Sequence, residues 1–427
     1  MTVHVLNPSG TTRLRNPGDL VEALGIAFSD QQLDAITAPL EPGVIIAGAG
    51  SGKTTVMAAR VVWLVGTGAV RPEEVLGLTF TRKAAAELSQ RIRQALLRAG
   101  VVAGSGVDES GEQLIMTYDA FAGRLVAEHG IRLGFEVDPT MITGATRYRL
   151  AARVVKAAAG PFEFISRLRP ATVTERVLKL DGDLQQHLVA PAELDQHARE
   201  LLVALESAPL NNRGRTYADV KRAIVVAQER LELASLVVDY QALKARLGLV
   251  EFADQMAIAA RLAAEVPQVS TALRAAFRVV LLDEYQDTSD AQASMLRGLF
   301  SGHTPSEGLG HPVTAVGDPF QAIYGWRGAA ASNILTFADG FRRRDGRPAA
   351  AFPLTVNRRS GRSILDVANV LSQPLRSHTA GAAGAIDGLG LLEPPPGAPA
   401  AQVRAATFDT WTDEVSWIAD QIGEVHT

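Results

Sequence analysis

Val44-Ile45-Ile46-Ala47-Gly48-Ala49-Gly50-Ser51-Gly52-Lys53-Thr54-Thr55 runs from an apolar stretch through a glycine-rich turn into residues at helical spacing that continue to Val62. Val44 to Ile46 predict a buried strand. Gly48, Gly50 and Gly52 let the backbone curl with no Cβ in the way. Successive N–H groups and the start of the helix then point at a phosphate. In that arrangement Lys53 reaches the β- and γ-phosphates and the Thr54 hydroxyl holds Mg²⁺. The strict pattern begins with Gly where Ala47 stands, and enough glycine is left for the loop to fold. The cradle therefore comprises Ala47, Gly48, Ala49, Gly50, Ser51, Gly52, Lys53, Thr54 and Thr55. An ordinary Gly-rich turn is the alternative, and strand, Lys-Thr pair and helix together argue against it.

The sequence has 427 residues, enough for two or three cores, and 47% apolar residues, which excludes a disordered chain. Net charge is −4, so a nucleic-acid site would have to be a local basic groove. There is no cysteine, which excludes disulfides and Cys-ligated zinc and fits a reducing, cytoplasmic setting. No basic region followed by an apolar core opens the chain, and no apolar run is long enough to cross a membrane.

Residues 1–27 read as a loose lead-in, with Pro8, Pro17 and Gly18 as breakers. Ser29 is a plausible N-cap for a short helix. Further strands are predicted at Val75 to Phe80, Leu114 to Tyr118, Phe277 to Leu282 and Val313 to Val316, each ending in polar residues. Ala103 to Glu112 reads as a polar loop. Between about 125 and 275 the texture turns Ala/Leu/Arg-rich at helical spacing, as expected of a helical insertion. Phe352 to Val356 opens something new, and Thr410 to Ile422 reads as an amphipathic helix. Asp283-Glu284-Tyr285-Gln286-Asp287 follows an apolar strand: Asp283 suits Mg²⁺ and Glu284 suits an attacking water. In Gly317 to Ala329, Gln321 can reach a γ-phosphate or that water. Tyr324 and Trp326 beside Arg327 suit base stacking along a single strand, although taken alone both aromatics read better as core.

Together these stretches resemble superfamily 1 DNA helicases of the UvrD/Rep/PcrA and RecB type. Phe28 to Gln32 is similar to the adenine-recognising motif, with Gln32 on the adenine edge. Leu78 to Ala85 and Thr117 to Phe121 resemble strand-contact motifs. Asp283 to Asp287, Gly317 to Ala329 and Leu354 to Ser360 resemble the motifs that follow, and Val250 to Asp254 the acidic close of the insertion. The resemblance implies a P-loop NTPase (RecA-like) α/β fold with a parallel sheet. A first motor domain is expected over residues 1–125 and 275–350, a helical insertion over 126–274, and the beginning of a second RecA-like domain over 351–427. It implies ATP and Mg²⁺ as cofactors, with Thr54 and Asp283 on the metal. Lys53, Asp283, Glu284, Gln321, Arg327 and Arg359 are implied as catalytic, Arg359 as arginine finger. Phe80, Thr81, Arg82, Thr117, Tyr118, Tyr324 and Trp326 are implied as DNA contacts.

Arg82, Asp119, Pro319, Phe320 and Arg358 depart from the family pattern. Arg82 stands where Asn is usual and adds a phosphate contact. Asp119 replaces a His and weakens a direct DNA contact there. Pro319 is closer to the RecB type. Arg358 replaces an adenine-stacking Tyr and could stack its guanidinium instead. The departures most resemble motor subunits of actinobacterial helicase–nucleases (AdnB-like). The expected activity is 3′→5′ unwinding or translocation on single-stranded, 3′-tailed or duplex-end DNA in repair or recombination, with a second helicase–nuclease subunit as a partner. The family's later motifs are missing, so a truncated chain is expected. A DNA-binding ATPase without unwinding and an inactive fragment are the open alternatives.

Overall fold

The computed structural model describes residues 13–101, 115–135, 139–379, 390–398 and 402–426. The expected polar loop at 103–112 lies outside them. The strands are β1 (Gly43–Ala47), β2 (Val75–Thr79), β3 (Ile115–Thr117), β4 (Thr140–Met141), β5 (Leu249–Val250), β6 (Val279–Leu282), β7 (Val313–Gly317) and β8 (Ala350–Leu354). Six of them form one sheet in the order β3-β2-β6-β7-β1-β8, every pairing parallel.

The helices used below are α1 (Pro17–Leu24), α2 (Asp30–Thr37), α3 (Lys53–Gly66), α4 (Arg82–Arg98), α5 (Tyr118–His129), α6 (Gly144–Ala157), α7 (Pro170–His187), α8 (Pro191–Glu206), α9 (Ala218–Arg246), α10 (Phe252–Glu265), α11 (Pro267–Ala276), α12 (Asp290–Phe300), α13 (Arg362–Thr379) and α14 (Trp411–His426). Alternate strand residues face opposite sides. Ile45, Leu281 and Val316 join a core with α1 to α4. Val44, Ile46, Val280 and Leu282 join a second core with α5, α10 and α12. Both faces of the sheet are covered, as an all-parallel sheet requires.

A third core belongs to the insertion and is built from Ala151 to Leu243. Its entry and exit are pinned together where β4 pairs with β5. Beside that pair, Lys244 is buried among Asp181 (2.7 Å), Asp254 (2.7 Å) and Glu251 (3.2 Å), and Arg147 meets Glu251 at 2.8 Å.

Three expectations are corrected. Pro17 does not break structure but opens α1, where its missing N–H is no loss, and Asn16 and Asp19 form a reciprocal cap. Helix α10, expected inside the insertion, packs with α5 and α12 against the sheet. Residues 350–354 do not open a new sheet: β8 pairs with β1 as its edge strand, Ile45 opposite Phe352.

His311 stacks on Phe300 (5.4 Å) with its Nε2 buried and without a hydrogen bond. Burial, then the charge of Arg274, push its pKa down to about 4. The unfolded chain takes up this proton near pH 6.5, so the contribution of the neutral ring is complete above that value. It is lost as the pH falls toward 4, by at most roughly 3 kcal/mol. His311→Phe is expected to flatten that part of the stability curve, as read by urea midpoints at pH 7 and pH 4.5.

Candidate active site

The carboxyl ends of β1, β2, β6, β7 and β8 open on one edge of the sheet, the edge at which open parallel sheets take ligands. β1 enters the loop Gly48 to Gly52 and α3 starts at Lys53. Gly50 and Gly52 adopt φ of 68° and 88°. Gly50 also sits under Asn357 and Arg359: a Cβ would lie 2.8 Å from the Asn357 amide and 2.9 Å from the Arg359 Cβ. No side chain caps α3, which leaves backbone N–H groups of its first turn to an anion.

Lys53 Nζ lies 3.0 Å from Glu284 Oε2. Glu284 follows β6 in the left-handed region (φ 48°), a conformation that L side chains adopt at a cost of order 1 kcal/mol or more and that concentrates at functional sites. Asp283 is buried. Its Oδ2 accepts a 3.4 Å hydrogen bond from the Thr79 hydroxyl, and its Oδ1 has no partner. Burial, then the charge of Glu284, push its pKa up to about 6. Asp287 behaves alike, with an orphaned Oδ1 and a pKa pushed up to about 6 by the same two causes. A buried carboxylate oxygen without a donor is rare. One such oxygen at the end of β6 fits a hydrated Mg²⁺, which takes one or two protein ligands with the rest from water and phosphate.

Gln286 has no role in the sequence reading, yet it bolts the site together. Its Nε2 donates to Glu284 Oε2 (2.8 Å) and its Oε1 accepts from the Asp318 N–H (3.0 Å). Gln321 Nε2 donates to Asp318 Oδ2 at 2.6 Å. A continuous hydrogen-bonded chain therefore runs Glu284–Gln286–Asp318–Gln321 across the ends of β6 and β7. The signal for Gln286 was present, a buried amide amid three carboxylates, but its direction was not.

Gln32 is buried and does not present its amide to an adenine. Its Oε1 accepts from the Ser29 N–H (3.1 Å) and its Nε2 donates to the Ser51 carbonyl (2.9 Å). It caps α2 and ties that helix to the phosphate loop, which corrects the expected role. Arg358 and Arg359 are exposed. The Arg358 guanidinium donates to the Ala27 carbonyl at 3.0 Å and its N–H to the Gly50 carbonyl at 2.9 Å. Asn357, unassigned from sequence, is buried and donates to the Ala49 carbonyl while accepting from the Arg359 N–H (2.7 Å). The Arg327 backbone lies in the turn Gly325–Arg327; its side chain lies outside the described residues.

Phe80 stacks on Tyr324 (4.7 Å, 27°), and Tyr324 meets Trp326 at 6.4 Å. Trp326 is 75% exposed. Thr81 caps α4 and Thr117 caps α5, each accepting a backbone N–H at 3.1 Å. Arg82, Arg93 and Thr117 line a cavity of about 390 Å³ between these two caps. Tyr118, expected beside them on the strand track, is 1% exposed, and its hydroxyl donates to the Asp283 carbonyl at 3.0 Å. That expectation is corrected: a ring packed in the core has no face for a base, and Tyr118 instead braces the strand end that carries Asp283.

A model of the UvrD/REP helicase N-terminal domain matches residues 28–342. DNA helicase II of Escherichia coli (strain K12) is 29% identical over 350 residues, 81% of this chain and 40% of that protein. The ATP-dependent DNA helicase PcrA of Leuconostoc citreum is 30% identical over 353 residues, 82% of this chain and 40% of its own length. The ATP-dependent DNA helicase UvrD1 of Mycobacterium leprae is 28% identical over 358 residues, 83% and 40% respectively. The chain spans about two fifths of the length of these relatives. Among the described residues no helix is long and apolar enough to cross a membrane.

Proposed function

Because the chain belongs to the UvrD/REP helicase family, we propose that it is an ATP-hydrolysing DNA motor, with the phosphate loop and the aromatic track as its two working parts. The carrying observation is the hydrogen-bonded chain from Glu284 to Gln321, which joins the Lys53 site to the segment bearing Tyr324 and Trp326. On this reading Lys53 leaves Glu284 for the phosphates. Glu284 then orients water and takes its proton. Arg359, held over Gly50 by the Asn357 turn, neutralises charge developing on the transferred phosphoryl group, with Arg327 as a second cation. Thr54 and Asp283 would hold Mg²⁺, which offsets phosphate charge when bound. Gln321 registers the γ-phosphate and passes its presence to the track through Asp318. Phe80, Tyr324 and Trp326 stack bases, and Thr81, Arg82 and Thr117 meet the backbone of single-stranded DNA. Arg358 lies beside the first turn of α2, at the expected adenine side.

Residues 13–135 and about 250–354 form the first motor unit on this reading, residues 140–250 the insertion, and the residues beyond 355 begin the second unit. Resemblance to the family supports 3′→5′ polarity, a role in repair or recombination and a cytoplasmic setting. The AdnB-like departures support a second helicase–nuclease subunit as partner. A DNA-binding ATPase without unwinding is the second reading. It is favoured by Asp119, an exposed acid next to the Thr117 cap, which repels phosphate.

ATP turnover with and without single-stranded DNA tests this. Turnover stimulated by DNA and abolished in Lys53→Ala is the expected result. Trp326→Ala is expected to raise the DNA concentration needed for half-stimulation by about 5- to 150-fold, the loss of one stacked base at roughly 1–3 kcal/mol. Equal turnover in Lys53→Ala and the unmodified chain would refute the site. Stimulation without opening of a 3′-tailed duplex would select the second reading.

A further inference from the structure

Helix α2 touches both halves of the nucleotide site. On one side Gln32 ties it to the Ser51 carbonyl. On the other, Gln31 grips the segment that carries the two arginines: the Thr355 N–H donates to Gln31 Oε1 (3.0 Å) and Gln31 Nε2 donates to Thr355 Oγ1 (3.1 Å). The turn before α2 joins in where Arg358 donates to the Ala27 carbonyl. The far end of α2 cannot swing freely. The buried Arg60 guanidinium on α3 donates to the carbonyls of Ala35, Ile36, Ala38 and Pro39, and its Nε to the Thr314 hydroxyl on β7. No carboxylate takes part in those five bonds. Carbonyls at and just past the helix end, with the Thr314 hydroxyl, hold a guanidinium that burial disfavours, so the fork acts as a fixed pivot.

A helix pivoted at its C-terminal end transmits displacement at its N-terminal end. That end carries Gln31, Gln32 and the Ala27–Ser29 approach, the side proposed above for the nucleobase. We propose that Gln31 is a positioning residue that couples the presence of the nucleobase to the placement of residues 355–359, and so to the finger Arg359. The inference rests on the nucleotide-site reading above and adds a specificity device to it. Phosphates alone fill the loop, and a base that engages the α2 side adds to the hold on the finger segment.

Gln31 suits this work. It is half-buried at the rim of the sheet, so its removal leaves the core untouched. Its bonds, with the Thr355 hydroxyl also in reach of Gln31 Oε1 (3.2 Å), all fall on one residue of the finger segment, at the point where β8 ends and the Asn357 turn begins. Without them Thr355 loses its backbone acceptor, and the arginine turn is held by the phosphate loop, by Ala27 and by the Glu393 backbone, which accepts from the Asn357 N–H (2.8 Å) and donates to the Thr355 carbonyl (3.0 Å).

Hydrogen–deuterium exchange of the amides at 355–360 provides the test, in the whole chain, with a non-hydrolysable ATP analogue and with inorganic tripolyphosphate. The analogue is expected to slow exchange there by roughly fivefold or more relative to tripolyphosphate, the lower end of ordinary coupling between sites. In Gln31→Ala that difference is expected to vanish, while affinity for the analogue changes less than about threefold and the melting temperature holds. Gln31→Glu keeps an acceptor for the Thr355 N–H and is expected to retain most of the difference. Equal protection by both ligands in the unmodified chain would overturn the inference, as would a difference that survives Gln31→Ala. If neither ligand binds, the nucleotide site itself fails and the inference falls with it, an outcome distinct from binding without base-dependent protection.

Discussion

Glu284→Gln is expected to lower ATP turnover by about 10²- to 10⁴-fold, the usual contribution of a positioned base, and to leave nucleotide affinity unchanged or tighter. The geometry separates the two effects. In the structure Glu284 is the counter-ion of Lys53 at 3.0 Å, so an incoming phosphate competes with it for the ammonium. The amide keeps the shape and the hydrogen bond from Gln286 but removes that competition. It also removes the proton acceptor next to Lys53, and Asp283, the metal carboxylate on this reading, is not free to take its place. Phosphate release under saturating ATP, beside a nucleotide titration, reads both. Turnover equal to that of the unmodified chain would show that another group activates the water.

Lys244→Ala is expected to destabilise the chain by roughly 3–5 kcal/mol, the loss typical when one partner of a buried ion pair is deleted. Lys244 is 3% exposed and faces Asp181 on α7 and Glu251 and Asp254 at the start of α10. Burial works against its charge, yet the fields of Asp181, Asp254 and Glu251 more than offset this and raise its pKa. Without the ammonium, Asp181 and Asp254 would lose their cation, and Glu251 would keep Arg147. The damage should concentrate where the insertion joins the sheet-bearing unit. The urea midpoint should fall, and protease should cut near β5 before the core around β6. A loss under about 1 kcal/mol would mean that the apolar contacts of α10 hold the insertion without this network.

The phosphate loop was legible because its chemistry is local: strand, glycines, Lys53 and Thr54 are contiguous, and no distant partner is needed to recognise them. The same holds for Asp283 and Glu284 after β6. What escaped the sequence depends on pairing at long range. The apolar run Ala350 to Leu354 fits the edge of the first sheet as well as the opening of a second, and only its register with β1 decides. Helical periodicity marks both α9 and α10, but does not say that α10 packs on the sheet and α9 in the insertion. Tyr118 shows the limit for side chains. Its neighbours Thr117 and Asp119 are surface residues, and nothing local says that its ring turns inward to meet the Asp283 carbonyl. Gln32 shows the converse, a residue whose expected ligand contact is occupied by a backbone carbonyl nineteen residues on.

The placement of β1 has a consequence for biogenesis. The strand that feeds the phosphate loop has its two sheet neighbours at Val313–Gly317 and Ala350–Leu354. At about 5–20 residues per second of synthesis, Val44 to Ala47 wait on the order of tens of seconds on the ribosome before either neighbour exists. The insertion core, closed by contacts within residues 151–243, can collapse during that wait, whereas β1 is left as an unpaired apolar edge. High contact order of this kind slows folding and exposes strands to association. Chaperone occupancy of the nascent chain is therefore expected to peak after β1 emerges and to drop once residue 354 has cleared the exit tunnel.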